Sequence, residues 1–216
     1  MTADEGWIDI SVPLKAGMVV YPGDAPVRIT RTSDTARGDV ATVSRISMGL
    51  HSGTHIDAPL HLFEGGLSID RLPLQRLIGT ARVIAAEGAS SIDAAELKSH
   101  PIESGQIVLF KTRNSALGRL GRFCPEYVYL TPSAAAYLVE ARVRAVGIDY
   151  LSIDAFGQHG LEAHSLLLRG SIPIIEGLDL SPVGPGLYEW ICLPLRIEGG
   201  EAAPARAMVR RLAPEH

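Results

Sequence analysis

Apolar positions along this chain fall into short stretches, separated by glycine, proline and polar turns, and few of them keep helical periodicity for long. Nine segments rich in β-branched residues read as strands: Trp7–Val12, Val27–Thr32, Ala41–Gly49, Thr80–Ala86, Gln106–Thr112, Ala145–Asp149, Ile172–Ile175, Glu189–Ile197 and Ala205–Arg211. Two of them, around Ile107-Val108-Leu109-Phe110 and Ile172-Pro173-Ile174-Ile175, are almost continuously apolar, as expected of strands covered on both faces. Three segments read as helices. Ile92–Ser99 follows the candidate caps Ser90 and Ser91 and stops before Pro101. Thr131-Pro132 pairs an N-cap with a first-turn proline and opens a helix to about Arg142. Leu161–Arg169 is short and is stopped by Gly170. Strands dominate with helices interspersed, so the class is α/β or α+β.

Composition narrows this picture. The chain has 216 residues, enough for one ordinary domain, and no repeat, linker or low-complexity tract divides it, so residues 1–216 are expected to form a single domain. With 46% hydrophobic and 20% charged residues it can bury a core and does not have a disordered composition. The 22 glycines and 14 prolines agree with a turn-rich fold. A net charge of −4 and a pI near 6.0 give no basic footprint for nucleic acid or an anionic membrane. No apolar run approaches the roughly 18 residues of a spanning helix, and the acidic N-terminus lacks a signal-peptide pattern. The only cysteines, Cys124 and Cys192, lie far apart, which argues against a disulfide scaffold or a cysteine zinc cluster and fits a reducing cytoplasm.

One stretch carries chemistry. His51-Ser52-Gly53-Thr54-His55-Ile56-Asp57-Ala58-Pro59-Leu60-His61 holds three of the seven histidines and an aspartate within eleven residues. If the preceding strand continues, positions 51, 55, 57 and 61 share parity and therefore one face. Imidazoles and a carboxylate converging in this way suit a catalytic Zn²⁺, or a harder ion such as Mn²⁺ or Fe²⁺, with a position left open for water, whose pKa the ion would lower. His61 is open to two roles: a further ligand, or an unligated general base and acid. Its distance from the first ligand favours the second. No Gly-x-Ser-x-Gly elbow, Walker loop, His-Glu-x-x-His helix or dinucleotide fingerprint is present.

The pattern His-x-Gly-Thr-His-x-Asp-x-Pro-x-His resembles the signature of the metal-dependent cyclase/hydrolase family, which includes bacterial kynurenine formamidases and isatin hydrolases. The resemblance extends to Ile8-Asp9-Ile10-Ser11, Tyr21-Pro22-Gly23-Asp24, Val108–Thr112, Gly147-Ile148-Asp149 with Ser152-Ile153-Asp154, and His164–Leu168 followed by Ile172–Glu176. It implies a mixed, sheet-rich swivelling β/β/α fold, assembled as a homodimer or higher homo-oligomer. It also implies one or two divalent ions, with zinc first and manganese as the alternative. His51, His55 and Asp57 would hold the first ion and Asp57 could bridge. His164 and Glu176 would complete the site, a pairing that spacing alone does not reveal. His61 would transfer the proton, and Tyr21 would line the substrate pocket where the family's formamidases have tryptophan, although ordinary turn packing also explains a tyrosine there. Ser165 replaces a second histidine common in those enzymes.

The reading that follows is hydrolysis of a small amide C–N bond, with N-formylkynurenine as the best single substrate. A cyclic amide or lactone, as in isatin opening, or a polyketide-type cyclisation is the alternative, and a metal-binding module without turnover is a further one. The partner is a small molecule, not nucleic acid or membrane. Asp149 and Asp154 could orient ligands or serve as caps, and His159 could be a neighbour of the C-terminal ligand or a surface residue. Arg206, Arg210 and Arg211 read as a solvated strand face.

Overall fold

The structure, a computed structural model, describes residues 6–158 and 160–212; His159 lies outside the described residues. Among the described residues, twelve strands and four α-helices follow in chain order. The strands are β1 Ile8–Asp9, β2 Arg28–Ser33, β3 Val43–Ser47, β4 His55–Asp57, β5 Ile78–Ala85, β6 Ser91–Ile92, β7 Ile107–Lys111, β8 Tyr129–Leu130, β9 Ala145–Ile148, β10 Ile174–Glu176, β11 Gly186–Pro194 and β12 Ala202–Arg211. The helices are α1 Ala94–Leu97, α2 Asn114–Leu117, α3 Pro132–Glu140 and α4 Glu162–Arg169. No helix among the described residues is long and apolar enough to cross a membrane.

The main sheet runs β1-β12-β11-β5-β7-β9-β10-β4, and β4 also pairs with the start of β12. The sheet therefore closes on itself as a barrel, with β1 attached outside the ring. Strands β5, β7, β9 and β10 are mutually parallel, and the remaining pairings in this sheet are antiparallel. This is the mixed α/β, sheet-rich architecture expected of the sequence.

Strand alternation sorts the side chains into two cores. Ile56, Val83, Ile107, Leu109, Ile175, Tyr188 and Trp190 point inward and fill the barrel. Gly147 also faces inward, and a Cβ there would lie 2.7 Å from Leu109 Cδ2 and 2.9 Å from Leu178 Cδ1, so a larger residue would require both leucines to shift. The opposite parity, including Ile84, Val108, Phe110, Val146, Ile148 and Ile174, packs beneath α3 and α4 through Ala134, Leu138, Ala163 and Leu167. The continuous apolar run of β7 is explained by this arrangement, since both of its faces are covered.

Local chemistry sets the helix ends. Thr131 caps α3 by accepting from Ala134 N, with Pro132 in the first turn, as the sequence indicated. The helix expected at Ile92–Ser99 is shorter and starts later. Asp93 accepts a hydrogen bond from Glu96 N at 2.9 Å and caps α1, while Ser91 and Ile92 form β6 against β8. The aspartate sets the start in place of the two serines because fully buried Ile92 is already committed to strand pairing. Arg206 and Arg210 pair with Asp9 and Glu189 on the outer strands, consistent with a solvated face.

Candidate active site

The site lies on the outer face of β4 and β10. In their antiparallel register, Glu176 stands opposite His55 and Ile174 opposite Asp57. His55, Asp57 and Glu176 therefore share the outward parity, while Ile56 and Ile175 enter the barrel. All three polar side chains are buried. Close backbone contact sets this arrangement: a Cβ on Gly177 would fall 2.2 Å from the carbonyl oxygen of Gly53, and both glycines have φ of +68°. Thr54 Oγ1 donates to Gly177 O at 2.5 Å and ties the two segments together.

The shared parity expected of positions 51, 55, 57 and 61 holds only for 55 and 57. β4 is three residues long, because Gly53 turns the chain before it and Pro59–His61 forms a 3₁₀ turn after it. His51 and His61 nevertheless arrive at the same place by way of these turns. The rings of His51 and His61 are 4.4 Å apart between centroids, and His61 and His164 are 5.9 Å apart. α4 supplies His164 from above.

Asp57 is the centre of the cluster. Its Oδ1 faces His51 Nδ1 at 2.9 Å and His55 Nε2 at 3.5 Å, and its Oδ2 faces His164 Nε2 at 3.5 Å. Glu176 closes the ring, with Oε2 3.5 Å from His55 Nε2 and Oε1 3.1 Å from His164 Nε2. These approaches lack hydrogen-bond angles. Both Asp57 oxygens and His55 Nε2 are buried without a hydrogen-bond partner among the described residues. Orphaned buried polar atoms are costly. Here they belong to imidazole and carboxylate groups aimed at common points, so the donor set fits a divalent cation. Potential ligand atoms of His51, Asp57 and His61 lie within 4.8 Å of one another, as do those of His55, Asp57 and Glu176. Asp57 belongs to both groups.

Surrounding acceptors fix the rings. His55 Nδ1 donates to Gly53 O at 2.9 Å, which turns Nε2 toward the two carboxylates. His164 Nδ1 donates to Asp154 Oδ2 at 2.6 Å, and the same carboxylate accepts from the backbone N–H of Ala163 and His164 at the start of α4. Asp154 thus serves both of the roles left open for it. Asp149 only caps: it accepts from the backbone and hydroxyls of Thr112 and Ser115, ahead of and within α2.

Electrostatics follow from this crowding. Burial alone would push the His55 pKa down, but the Asp57 and Glu176 carboxylates outweigh it and hold the imidazole up at about 9. His164 is raised well above its usual value in the same way: burial opposes the shift, and Glu176, Asp154 and Asp57 drive it. Burial would raise Asp57 and Glu176, yet the neighbouring imidazoles keep both carboxyls below their ordinary range. His61 differs, since its loss of solvent outweighs the carboxylates and lowers its pKa.

Beside the cluster is an aromatic wall. Tyr21 meets Phe123 and Phe156 edge-on, each at 5.9 Å, and Phe123 and Phe156 are 4.8 Å apart. Burial first, and then the Glu176 carboxylate, raise the Tyr21 hydroxyl pKa. Tyr127 backs the wall and donates to Asp154 O at 2.5 Å. Sequence reading missed Phe123 and Phe156. Phe156 lies two residues beyond Asp154, but no spacing marks either phenylalanine. Cys124 and Cys192 are buried and free, as expected of core residues.

Residues 8–155 match the family described as "Putative cyclase". Over 204 residues the chain is 34% identical to the kynurenine formamidase of Bacillus cereus, covering 94% of this chain and 97% of that protein. Among solved structures it matches a protein described as a potential metal-dependent hydrolase with cyclase activity, with a TM-score of 0.84, 36% identity, and 96% and 99% of the two chains covered. It also matches an isatin hydrolase bound to the product analogue thioisatinate, with a TM-score of 0.82, 25% identity, and 96% and 92% covered.

Proposed function

The chain belongs to the cyclase family, and we propose that it is a metal-dependent hydrolase that cleaves the C–N bond of a small aryl formamide, with N-formylkynurenine as the best-fitting substrate. The observation that carries this reading is the buried Asp57, whose two unbonded oxygens face histidines on opposite sides, next to an aromatic wall. His51, His55 and Asp57 would hold one divalent ion, and Asp57, His164 and Glu176 a second, with zinc the leading choice and manganese the alternative. Ions bound there supply Lewis acidity, polarising a carbonyl oxygen and acidifying water.

The protein's own groups do the rest. Tyr21, Phe123 and Phe156 orient the aryl ring so that its formyl carbon lies over the cluster. His61, kept neutral by its partial burial and flanked by His51 and His164, takes a proton from the attacking water at its free imidazole nitrogen and returns it to the leaving nitrogen. Asp154 and the Gly53 carbonyl hold the two buried imidazoles in register throughout. The chain acts as one catalytic domain, works in the cytoplasm and assembles as a homodimer or higher homo-oligomer.

The test is turnover of N-formylkynurenine by chelator-stripped protein with and without added zinc or manganese. The reading expects activity that returns with the ion and is lost in Tyr21→Ala through a raised KM. Protein that binds ions but leaves this substrate intact would contradict it. A second reading, ring opening of a cyclic aryl amide, is supported by the same wall and by the likeness to the thioisatinate-bound isatin hydrolase. Isatin as a parallel substrate separates the two.

A further inference from the structure

Each imidazole of the cluster has two ring nitrogens, and the partner of one decides whether the other is free to meet a cation. His55 and His164 are settled in this respect. Their Nδ1 atoms are held by Gly53 O and Asp154 Oδ2, which leaves Nε2 for the carboxylates. His51 is mounted the other way round. Its Nδ1 faces Asp57 Oδ1 at 2.9 Å, and its Nε2 turns away, 3.7 Å from Oε1 of Glu201. His51 is also the least enclosed of these three rings, with 24% of its side chain exposed against 1% for His55 and 4% for His164.

The backbone around Glu201 is pinned. It lies in the turn between β11 and β12, directly before Ala202, which pairs with Asp57. Ala58 N donates to Glu201 O at 2.9 Å, Ile69 N to Gly200 O at 2.8 Å, and Gly199 N to Asp70 Oδ1 at 3.1 Å. Gly200 is packed so closely that a Cβ there would lie 3.1 Å from both Ala202 O and Ile69 Cγ2. The Glu201 carboxylate has no other ion pair and no hydrogen bond among the described residues. The anchored turn, rather than a salt bridge elsewhere, brings it beside His51.

We propose that Glu201 is a positioning residue for His51: its carboxylate keeps the ring proton on Nε2 and so presents the Nδ1 lone pair to the ion that His51 would hold with His55 and Asp57. This rests on the metal-dependent reading above, and it gives the two ion positions separate supports. Glu201 serves the more open one, and Asp154 serves the enclosed one through His164. At 3.7 Å the approach is an ion pair rather than a hydrogen bond, so the charge of Glu201 matters as well as its acceptor oxygen.

Isothermal titration of zinc into chelator-stripped wild type, Glu201→Ala and Glu201→Gln tests it, with proton–nitrogen correlation spectra of the zinc-loaded proteins to read the His51 ring. The wild type should bind two ions and show His51 protonated at Nε2. Glu201→Ala should bind one ion about 10–100-fold more weakly and the other unchanged. Glu201→Gln, which keeps an acceptor but not the charge, should fall between and retain the Nε2 proton. Asp154→Asn should instead weaken the ion that Glu201→Ala leaves alone. Both ions bound at wild-type strength in Glu201→Ala, or both weakened alike, would overturn the positioning role. Complete loss of one ion in both Glu201 variants would make Glu201 a ligand and overturn it too. Should Glu201→Ala fail to fold, Glu201→Gln decides: one ion weakened upholds the role, and wild-type affinity for both overturns it. A wild type that takes up no zinc would overturn the metal-dependent reading and this proposal with it.

Discussion

On the outer surface of the barrel, the strands β7 and β9 present Val108, Phe110, Val146 and Ile148, fully buried beneath helices. On the next two strands of the same surface, β10 and β4 present His55, Asp57 and Glu176, equally buried, with α4 above them. The first half is stabilised by removing apolar area from water, about 1.5–3 kcal/mol for each large side chain. The second half leaves buried atoms of Asp57 and His55 without hydrogen bonds among the described residues, an arrangement that packing cannot stabilise. One half of this surface is therefore satisfied by packing alone, whereas the other gathers donor atoms that fit a divalent cation.

Changes made on each half should therefore differ in kind. The largest effect is expected at Asp57, which belongs to both groups of potential ligands. Asp57→Ala should lose all specifically bound divalent ion and at least about 10⁴-fold in turnover, because carbonyl polarisation and water activation disappear together. Elemental analysis beside steady-state kinetics reads both. His61→Ala should cost about 10²–10⁴ in kcat with the ion content intact. An emptied site in that variant would instead make His61 a ligand, the role also compatible with its closeness to His51 and Asp57.

On the apolar half, Phe110→Ala should destabilise the fold by about 3–5 kcal/mol in denaturant titrations, with the ion content of the folded protein unchanged. Asp154→Asn should weaken ion binding by about 10–100-fold through loss of the carboxylate that orients His164, with a smaller effect on the melting temperature than Phe110→Ala. The smallest effect concerns protons. In the ion-free protein His55 holds a proton up to about pH 9, and an ion must displace it to reach the lone pair. Apparent affinity should therefore rise with pH up to about pH 9 as His55 loses its proton, and beyond as His164, raised as well, loses its own, with proton release visible by calorimetry in buffers of different ionisation enthalpy.

Much of this contrast is legible in the sequence, and unevenly so. β7 announces itself because both of its faces are apolar, and α3 because Thr131-Pro132 states its start. β4 does not: His-Ile-Asp has no strand signal, and its extended state is imposed by pairing with β10 on one side and β12 on the other. The dense motif around residues 51–61 marks the chemistry, but the geometry behind it is two turns flanking a short strand, not a single strand face. His164 and Glu176 lie more than a hundred residues from the motif, and only family resemblance joined them to it; in the fold, antiparallel register and α4 do so. Phe123 and Phe156 carry no local signal, because their meaning comes from meeting Tyr21 across the chain.

We read the buried polar half as a cation site organised by Asp57. Isothermal titration of zinc or manganese into chelator-stripped protein tests it most directly, run on the wild type and Asp57→Ala. Two ions should bind specifically per wild-type chain and none in the variant, with both proteins folded by circular dichroism. A wild type that takes up no ion, or an Asp57→Ala variant that binds both as tightly, would contradict it.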